Sequence, residues 1–153
     1  LQTIAKYVVR RLRDLPPQCV SNIVYAFGRL AFVHDKMMGR VAGLLQRFED
    51  RELAAFAPQA LSSIVYAFGL LEFRHCDALR RLADHVSGRL LAFNAQDISN
   101  SMYGFALLDF RHAGVLRAAA RHLESRPEAF ESFSPQAIAN TVDALVRLGF
   151  PHR

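Results

Sequence analysis

The chain is poor in cysteine, in lysine and in long apolar runs, and each shortage excludes a class of protein. Cys19 and Cys76 are the only cysteines among 153 residues, too few for a disulfide framework or a multi-thiolate zinc site, and a reducing compartment fits them best. No apolar run reaches the roughly 18 residues that a transmembrane helix needs, so we expect no membrane span. Lys6 and Lys36 are the only lysines, so arginine carries nearly all the positive charge.

Signatures of common catalytic and nucleotide-binding sites are also missing. The sequence has no G-x-S-x-G, G-x-x-x-x-G-K-[ST], H-E-x-x-H or G-x-G-x-x-G segment, which mark hydrolases, P-loop proteins, zinc proteases and dinucleotide-binding folds. The 14 acidic residues are scattered, with no repeated carboxylate pair for acid–base work. We therefore expect a protein that is not an enzyme and that uses no metal, no cofactor and no small-molecule substrate.

What is present is an apolar, basic composition. Apolar residues make up 52% and charged residues 22%, which favours a folded core over disorder. The 19 basic residues exceed the 14 acidic ones and leave a net charge of +5. A positive surface favours nucleic acid or an anionic membrane surface as a partner without deciding between them, and we expect RNA and no membrane partner. Arginine suits phosphate because its planar fork contacts two oxygens at once.

An internal repeat organises the chain. Four segments align over 18 positions: PQCVSNIVYAFGRLAFVH, PQALSSIVYAFGLLEFRH, AQDISNSMYGFALLDFRH and PQAIANTVDALVRLGFPH. The glutamines at their second position are 41, 37 and 40 residues apart. Because the intervening segments also match one another, we divide the chain into a half repeat over 1–15, repeats over 16–56, 57–93 and 94–133, and a half repeat over 134–153. We expect one array that continues beyond both ends.

Each unit has the periodicity of two helices. In the second unit the apolar positions are three or four residues apart in both halves, at Leu61, Ile64, Val65, Phe68, Leu79, Leu82, Ala83 and Val86. Pro58 suits a first helical turn, and Ser134 and Asn94 suit N-caps. The pattern predicts an all-α fold, an α-solenoid of stacked antiparallel helix pairs with about eight helices. Extra residues near Asp50–Ala55 and Pro127–Ser132 are expected in connections.

The six histidines recur at two positions of the repeat. His34, His75, His112 and His152 end the link after the first helix, and His85 and His122 share a position in the second helix. Metal ligands converge on one point, whereas residues that follow a repeat are spread along the array. We therefore expect a repeated structural role for the histidines and no metal site.

One face of the first helices carries amide, hydroxyl and aromatic groups with almost no charge. Such groups can bond base edges or stack on bases of single-stranded RNA. The candidate base contacts are Gln18, Asn22, Tyr25, Arg29, Gln59, Ser63, Tyr66, Gln96, Asn100, Tyr103, Gln136, Asn140 and Arg147. The same helical wheel also assigns Ser21, Ser62, Ser99, Phe32, Phe73, Phe110 and Phe150 to this face. The alternative is that the aromatics pack between repeats and the polar groups face water.

Arginines of the second helices and of the links could contact phosphates. The candidates that recur with the repeat are Arg11, Arg74, Arg89, Arg111 and Arg126. The alternative is a solvated basic face that keeps the array soluble.

The repeat resembles that of the octotricopeptide and heptatricopeptide families, whose first helix carries a P-P-x-x-L-S-N-x-x-W-A-x-A-K-L pattern. It is also similar to the helical region upstream of RAP domains in FAST-kinase-like organellar proteins. The matching residues are Pro17, Pro58, Pro135, Leu61, Ser21, Ser62, Ser99, Asn22, Asn100, Asn140, Ala26, Ala67, Ala144, Leu30, Leu71, Leu108 and Leu148. Tyr25, Tyr66 and Tyr103 replace the usual tryptophan, Asp143 departs from the pattern, and these 153 residues contain no RAP domain.

The resemblance implies an RNA-binding solenoid of mitochondria, or alternatively of chloroplasts. It implies a structural or assembly role on ribosomal RNA in a mitochondrial ribosome, or a role as an mRNA stability or translation factor. The rival interpretation is a protein–protein scaffold, because helix-pair solenoids serve either purpose. We also expect neighbouring protein subunits at the uncapped ends of the array.

Overall fold

The computed structural model describes residues 1–125 and 127–150, with the backbone alone at 127, 129 and 130. These residues form helices and turns and contain no strand. The α-helices are α1 (Gln2–Arg11), α2 (Pro17–Arg29), α3 (Asp35–Arg47), α4 (Asp50–Ala54), α5 (Pro58–Leu70), α6 (Cys76–Arg89), α7 (Ala95–Leu107), α8 (Ala113–Ser125) and α9 (Pro135–Arg147). Short 3-10 turns cover Leu12–Asp14, Leu90–Ala92 and Pro127–Ser132.

Like helices stack on like helices in two layers. The first layer runs α2, α5, α7, α9, and each of these helices packs against the next. The second layer runs α1, α3, α6, α8 in the same manner. Phe68 and Phe105 are fully buried among the residues of the core. The predicted all-α helical-repeat fold is therefore confirmed.

The structure has one helix more than the repeat predicts. α4 is a five-residue helix in the connection between α3 and α5, where extra residues were expected. The carboxylate of Glu52 accepts the backbone N–H of Glu49 at 2.8 Å and closes its first turn. Arg81 of α6 donates to the carbonyl of Phe48 at 2.9 Å and to the carboxylate of Asp50 at 2.8 Å, which holds this connection on the second layer.

The first helices begin as the sequence predicts. Pro17, Pro58 and Pro135 each stand at the first helical position, where a missing N–H costs nothing. Before α9, the Ser134 hydroxyl accepts the N–H of Ala137 at 3.2 Å. Before α7, the Asn94 side chain accepts the N–H of Asp97 at 2.8 Å. Both predicted N-caps are confirmed.

All four first helices end in the same left-handed turn. After α2, the N–H of Phe32 bonds to the carbonyl of Phe27 at 3.0 Å, and the N–H of Ala31 bonds to that of Gly28 at 3.1 Å, which is the Schellman arrangement. The turn residue has a positive φ in every copy: Ala31 (49°), Glu72 (52°), Asp109 (45°) and Gly149 (68°). The Phe32 ring packs on that of Phe27, with centroids 5.4 Å apart.

The link histidines cap the second helices. Nδ1 of His34 accepts the N–H of Met37 at 3.1 Å, and that of His75 accepts the N–H of Ala78 at 3.3 Å. His112 makes the same bond to Val115 at 3.3 Å. The predicted structural role is therefore confirmed for these three histidines, whereas His152 lies outside the described residues.

Glycine and alanine let the first helices approach closely. A Cβ added to Gly104 would lie 2.6 Å from the carbonyl oxygen of Val65, and one added to Gly69 would lie 3.0 Å from the Cα of Gly104. A Cβ on Gly28 would meet the Cα of Ala67 at 2.9 Å. No side chain fits at these contacts, so the small residues set the spacing of the first layer.

A carboxylate is buried between two first helices. Asp97 of α7 accepts the Ser62 hydroxyl of α5 at 3.1 Å and the N–H of Asn94 at 3.4 Å. Burial raises the pKa of Asp97, and the two hydrogen bonds offset part of this shift. The equivalent positions of α5 and α9 hold Ala60 and Ala137, so the charge is peculiar to this interface.

Substitution of Gly104 by alanine tests the close approach. Gly104→Ala is expected to lower the free energy of unfolding by about 1–3 kcal/mol, because backbone atoms must move apart. Gly39→Ala is the matched control, since a Cβ at Gly39 of α3 meets nothing within 4 Å, and it should stabilise the helix by about 0.5–1 kcal/mol. Urea unfolding followed by circular dichroism measures both, and equal effects at the two sites would contradict the interpretation.

Asp97 should make the stability depend on pH in a defined direction. The pKa of Asp97 is raised in the folded state, so folding takes up a proton at pH values just above the ordinary carboxyl pKa. The free energy of unfolding therefore falls as the pH rises through this range. Asp97→Asn keeps an acceptor for Asn94 and removes the charge. The stability of the variant relative to the parent should therefore increase as the pH rises from the ordinary carboxyl pKa through the raised pKa of Asp97. Parallel pH profiles for the two proteins would refute this.

Candidate nucleic-acid interface

The predicted base contacts occupy equivalent positions on four stacked helices. We call the amides and hydroxyl among them the polar row: Gln18, Asn22, Gln59, Ser63, Gln96, Asn100, Gln136 and Asn140. All eight are exposed or half-buried. Because α2, α5, α7 and α9 pack side by side, the row runs across the first layer with one glutamine and one further polar group per repeat.

Within the polar row, glutamine and asparagine pair along each helix. The Gln18 amide donates to the side-chain oxygen of Asn22 at 3.0 Å, and Gln96 bonds to Asn100 at 2.8 Å. Gln136 and Asn140 form the same bond at 2.9 Å. Each pair keeps one amide oxygen and several N–H groups free for a ligand. In α5 the shorter Ser63 replaces asparagine, so this repeat presents a different donor set.

Beside the polar row lies what we call the tyrosine ladder, Tyr25, Tyr66 and Tyr103. The ring centroids of Tyr25 and Tyr66 are 6.4 Å apart, and those of Tyr66 and Tyr103 are 6.2 Å apart. Rings at this separation are already in contact with each other, so no base can enter between them. The half-buried tyrosines thus pack between repeats, as the alternative interpretation stated. Burial raises the pKa of Tyr66, which keeps its phenol a hydrogen-bond donor.

Arginine stands at both ends of the ladder. Arg29 donates to the phenol oxygen of Tyr25 at 3.1 Å, with its guanidinium carbon 5.9 Å from the centre of the ring. In α9 the ladder position is Asp143, which forms an ion pair of 2.8 Å with Arg147. The side chains of Arg29 and Arg147 are exposed.

Two other groups that the helical wheel assigns to this face do not reach it. Ser21, Ser62 and Ser99 are buried, because the neighbouring first helices cover them. The hydroxyls of Ser21 and Ser62 bond to the carbonyls of Gln18 and Gln59, each at 3.0 Å. The phenylalanines after the first helices pack on the rings of α2, α5 and α7 in the left-handed turns described above. The helical wheel thus misplaces the three serines, and Phe32, Phe73 and Phe110 pack inward as the alternative interpretation predicts.

Several of the predicted phosphate contacts have partners within the chain. Arg11 pairs with Asp14 at 2.7 Å, and Arg111 lies 3.8 Å from Asp109. Arg89 lies 2.9 Å from Nε2 of His85, whose pKa is lowered by burial and by this guanidinium. Arg74 is exposed, and Arg126 lies outside the described residues. The exposed pairs open at little cost, because such ion pairs contribute about 0–1 kcal/mol.

Sequence reasoning missed a basic cleft between α1 and α3. Arg10, Arg13, Arg40 and Arg47 line it, together with Asp14 and the apolar Val9, Leu12 and Leu44. None of the four arginines forms an ion pair with a described residue, and all four are exposed. Lys6 and Lys36 line the adjoining surface beside Arg10. We call these six cations the basic groove.

The basic groove had a signal in the sequence that the repeat alignment concealed. Arg10 lies in the last turn of α1 and Arg13 lies three residues later in the 3-10 turn, whereas Arg40 and Arg47 are seven residues apart and thus share one face of α3. Arginine does not recur at these positions in every unit, so a search for residues that repeat does not find them. Only the packing of α1 on α3 brings the two pairs together. The groove belongs to the second layer, whereas the polar row belongs to the first.

Other kinds of site find no support in the part of the chain that the structure describes. Its His, Cys, Asp and Glu side chains form no group of three that could hold a metal ion. Over the same residues, no helix combines the length and the apolar character needed to cross a bilayer. Among the described residues, the hydroxyls of Ser99 and Ser101 are buried without a hydrogen-bond partner.

Comparisons with known proteins give no relative for this chain. No family model matches it, and no curated protein matches it either. The resemblance to the octotricopeptide-type repeats therefore rests on the residues of the sequence.

The asparagines of the polar row should be dispensable for folding. Replacement of Asn22, Asn100 or Asn140 by alanine removes one exposed hydrogen bond, which is worth about 0.2–0.5 kcal/mol. Each variant should therefore keep the helical content of the parent and nearly its midpoint of urea unfolding. A loss several times larger would mean that the polar row serves stability and would weaken it as a ligand surface.

Proposed function

We propose that this chain is a non-catalytic RNA-binding helical-repeat protein that holds single-stranded RNA along its first layer. The observation that carries the proposal is the polar row. It is exposed, almost free of charge and built from amides that repeat once per helix. Amide groups are the donors and acceptors that read base edges, and a row with one set per repeat suits a ligand made of successive bases.

The geometry of the Gln–Asn pairs supports this reading of the polar row. Each pair is held at 2.8 to 3.0 Å by a bond between side chains. The amides are thus partly ordered before a ligand arrives, so less side-chain entropy is lost on binding. The tyrosine ladder forms a wall beside them and offers phenol groups. We assign base contact to the amides and assign the tyrosine rings chiefly to packing.

The positive charge supports a polyanion over a neutral peptide as ligand. The six cations of the basic groove lie on α1, in the 3-10 turn that follows it and on α3, and the net charge of the chain is +5. Guanidinium groups that face water bind phosphate oxygens and release counterions from the nucleic acid. The basic groove lies in the second layer. We therefore assign to it contacts with phosphates of the same RNA, outside the segment whose bases contact the polar row.

The family resemblance supports an organellar setting. It favours the mitochondrion, with the chloroplast as the alternative, and a structural or assembly role on ribosomal RNA. A role in mRNA stability or translation fits the same interface. The second candidate is a protein–protein scaffold, which is favoured by exposed apolar side chains such as Val142 and Val146 on α9.

RNA binding is tested by fluorescence anisotropy with mixed-sequence single-stranded RNA and with matched duplex DNA. Over about 50–300 mM salt, affinity should fall with a log–log slope of about −0.7 per phosphate contacted on a single strand. RNA should bind more tightly than the duplex. A chain that is folded and binds neither nucleic acid would overturn the proposal and favour the scaffold.

Two sets of variants separate phosphate contact from base contact. Replacing the four groove arginines by glutamine should weaken binding to every sequence and make the salt slope shallower. The control removes four exposed arginines elsewhere, with the same loss of charge: Arg51, Arg80, Arg117 and Arg121. The alanine substitutions in the polar row should change the sequence preference and leave the salt slope unchanged. Equal effects of the two arginine sets would mean that net charge alone drives binding.

A further inference from the structure

An open cavity of about 560 Å³ lies between two links that each join the second layer to the first. The link from α1 to α2 supplies Leu15, and Val20 follows in the first turns of α2. The link from α3 to α5 supplies Phe48 and Phe56. Val20 and Phe56 are each 3% exposed, and the other two side chains are half-buried. The wall is therefore largely apolar, and the volume is within the roughly 300–1,000 Å³ of small-ligand sites.

Three charged side chains line the same cavity. They are Arg13, Arg47 and Glu52, and all three are exposed. Among the described residues, neither arginine forms an ion pair with Glu52 or with another carboxylate. Because Arg13 and Arg47 also line the basic groove, the cavity and the groove adjoin. A ligand that matches the cavity therefore has an apolar part and an anionic part.

The cavity lies between the two surfaces to which we assign RNA. Pro17 lines it and directly precedes Gln18, the first member of the polar row. Arg13 and Arg47 belong to the basic groove. An RNA strand that contacts both surfaces must cross the links between the layers, and the cavity opens at two of these links.

Residues that depart from the repeat build part of the wall. The short helix α4 consists of extra residues in its link and supplies Glu52, and Ala55 follows at its end. Oε2 of Glu52 accepts the N–H of Glu49 at 2.8 Å, which orients the carboxylate. Oε1 of Glu52 has no hydrogen-bond partner among the described residues. The carboxylate is therefore an oriented acceptor with free capacity for a donor on a ligand.

The first of the two links lacks a contact that holds the second. Arg81 of α6 donates to the carbonyl of Phe48 at 2.9 Å and to the carboxylate of Asp50 at 2.8 Å. Arg40 has the equivalent position in α3 and makes no hydrogen bond to a described residue. Its side chain lines the basic groove instead. The space beside the first link is thus left to a ligand.

A nucleobase with its phosphate matches this cavity better than an acyl chain with an anionic head group. An unstacked base has apolar faces, which stack on aromatic side chains such as Phe48. Adenine, cytosine and guanine also carry an exocyclic amino group, and a carboxylate such as that of Glu52 accepts its N–H. An acyl chain has no donor for Glu52 and would bring a second anion close to it.

We propose that the cavity receives one unstacked base of the bound RNA, from a nucleotide whose phosphates contact Arg13 and Arg47. Glu52 accepts the amino group of that base, so adenine, cytosine and guanine are preferred to uracil at this position. The inference rests on the proposed RNA binding. It adds a base-contacting site on the links to the one that the polar row forms on the first helices.

The role of Glu52 is tested by fluorescence anisotropy with a short oligouridylate and with the same RNA carrying one central cytidine. The parent chain should bind the cytidine-containing RNA about 5-fold more tightly, as one specific base contact provides. Glu52→Gln keeps an oxygen that accepts the N–H of Glu49. Its amide N–H donates to the carbonyl oxygen of uracil, so the preference for cytidine should be lost or reversed.

Glu49→Gln is the matched control for this experiment. It removes the same charge from the same link, and Glu49 does not line the cavity. This variant should keep the preference of the parent for cytidine. The proposal is overturned if the two glutamine variants show the same preference.

Filling the cavity is a second test, independent of which base enters. Ala55 lines the cavity, whereas Ala54 of α4 does not, and both are exposed. Ala55→Leu should weaken binding of the cytidine-containing RNA about 10-fold, because the base loses its stacking position. Ala54→Leu should bind like the parent, and circular dichroism should give both variants the helical content of the parent. Equal affinities of the two variants would contradict the site.

Failure of the cavity site and failure of RNA binding give different results. If the folded parent binds neither RNA, RNA binding is wrong and the cavity site is wrong with it. If the parent binds both RNAs and the Glu52 and Ala55 variants bind exactly as their controls do, the cavity site alone is wrong. Alanine at Asn22 should leave the effect of Glu52→Gln unchanged, because the two residues contact different nucleotides.

Discussion

The spacing of the first layer depends on backbone-to-backbone contact at glycine. Gly28 and Gly69 contact the next helix of the layer and Gly104 contacts the preceding one, each so closely that no methyl group fits. This approach buries Val24, Val65 and Met102 and covers the serines of the same stripe. It also brings the tyrosines into contact and sets one polar group beside the next. The polar row is therefore a consequence of how closely the helices pack as well as of which residues they carry.

The link between the two helices of each unit is built from phenylalanine and histidine, residue types that are often assigned to binding or catalysis. The phenylalanines close left-handed turns on the rings of the preceding helix, and the histidines cap the next helix with Nδ1. Three of the four turn residues are not glycine, although a positive φ favours glycine there. Because the link has the same conformation in each unit, the two helices of every unit are oriented alike. Equivalent residues of successive units therefore line up in one extended surface.

The polar row and the basic groove lie on different layers, and this separation constrains any ligand. The row offers neutral donors and acceptors in register with the repeat, whereas the groove offers charge at a single place, between α1 and α3. Neutral amides discriminate between bases but contribute little to long-range attraction. Cations attract the phosphate backbone but do not discriminate between bases. An RNA strand that contacts both the polar row and the basic groove must pass from the first layer to the second. The groove would then contact phosphates of nucleotides other than those whose bases contact the polar row.

The sequence by itself determined the helical repeat, the caps and the members of the polar row, because periodicity and capping are local properties of a single helix. Tertiary structure alone decided that Ser21, Ser62 and Ser99 are covered, that the phenylalanines turn inward and that the arginines of α1 and α3 meet. The physical reason is that a helical wheel treats one helix at a time, whereas accessibility depends on neighbours some 40 residues away in the chain.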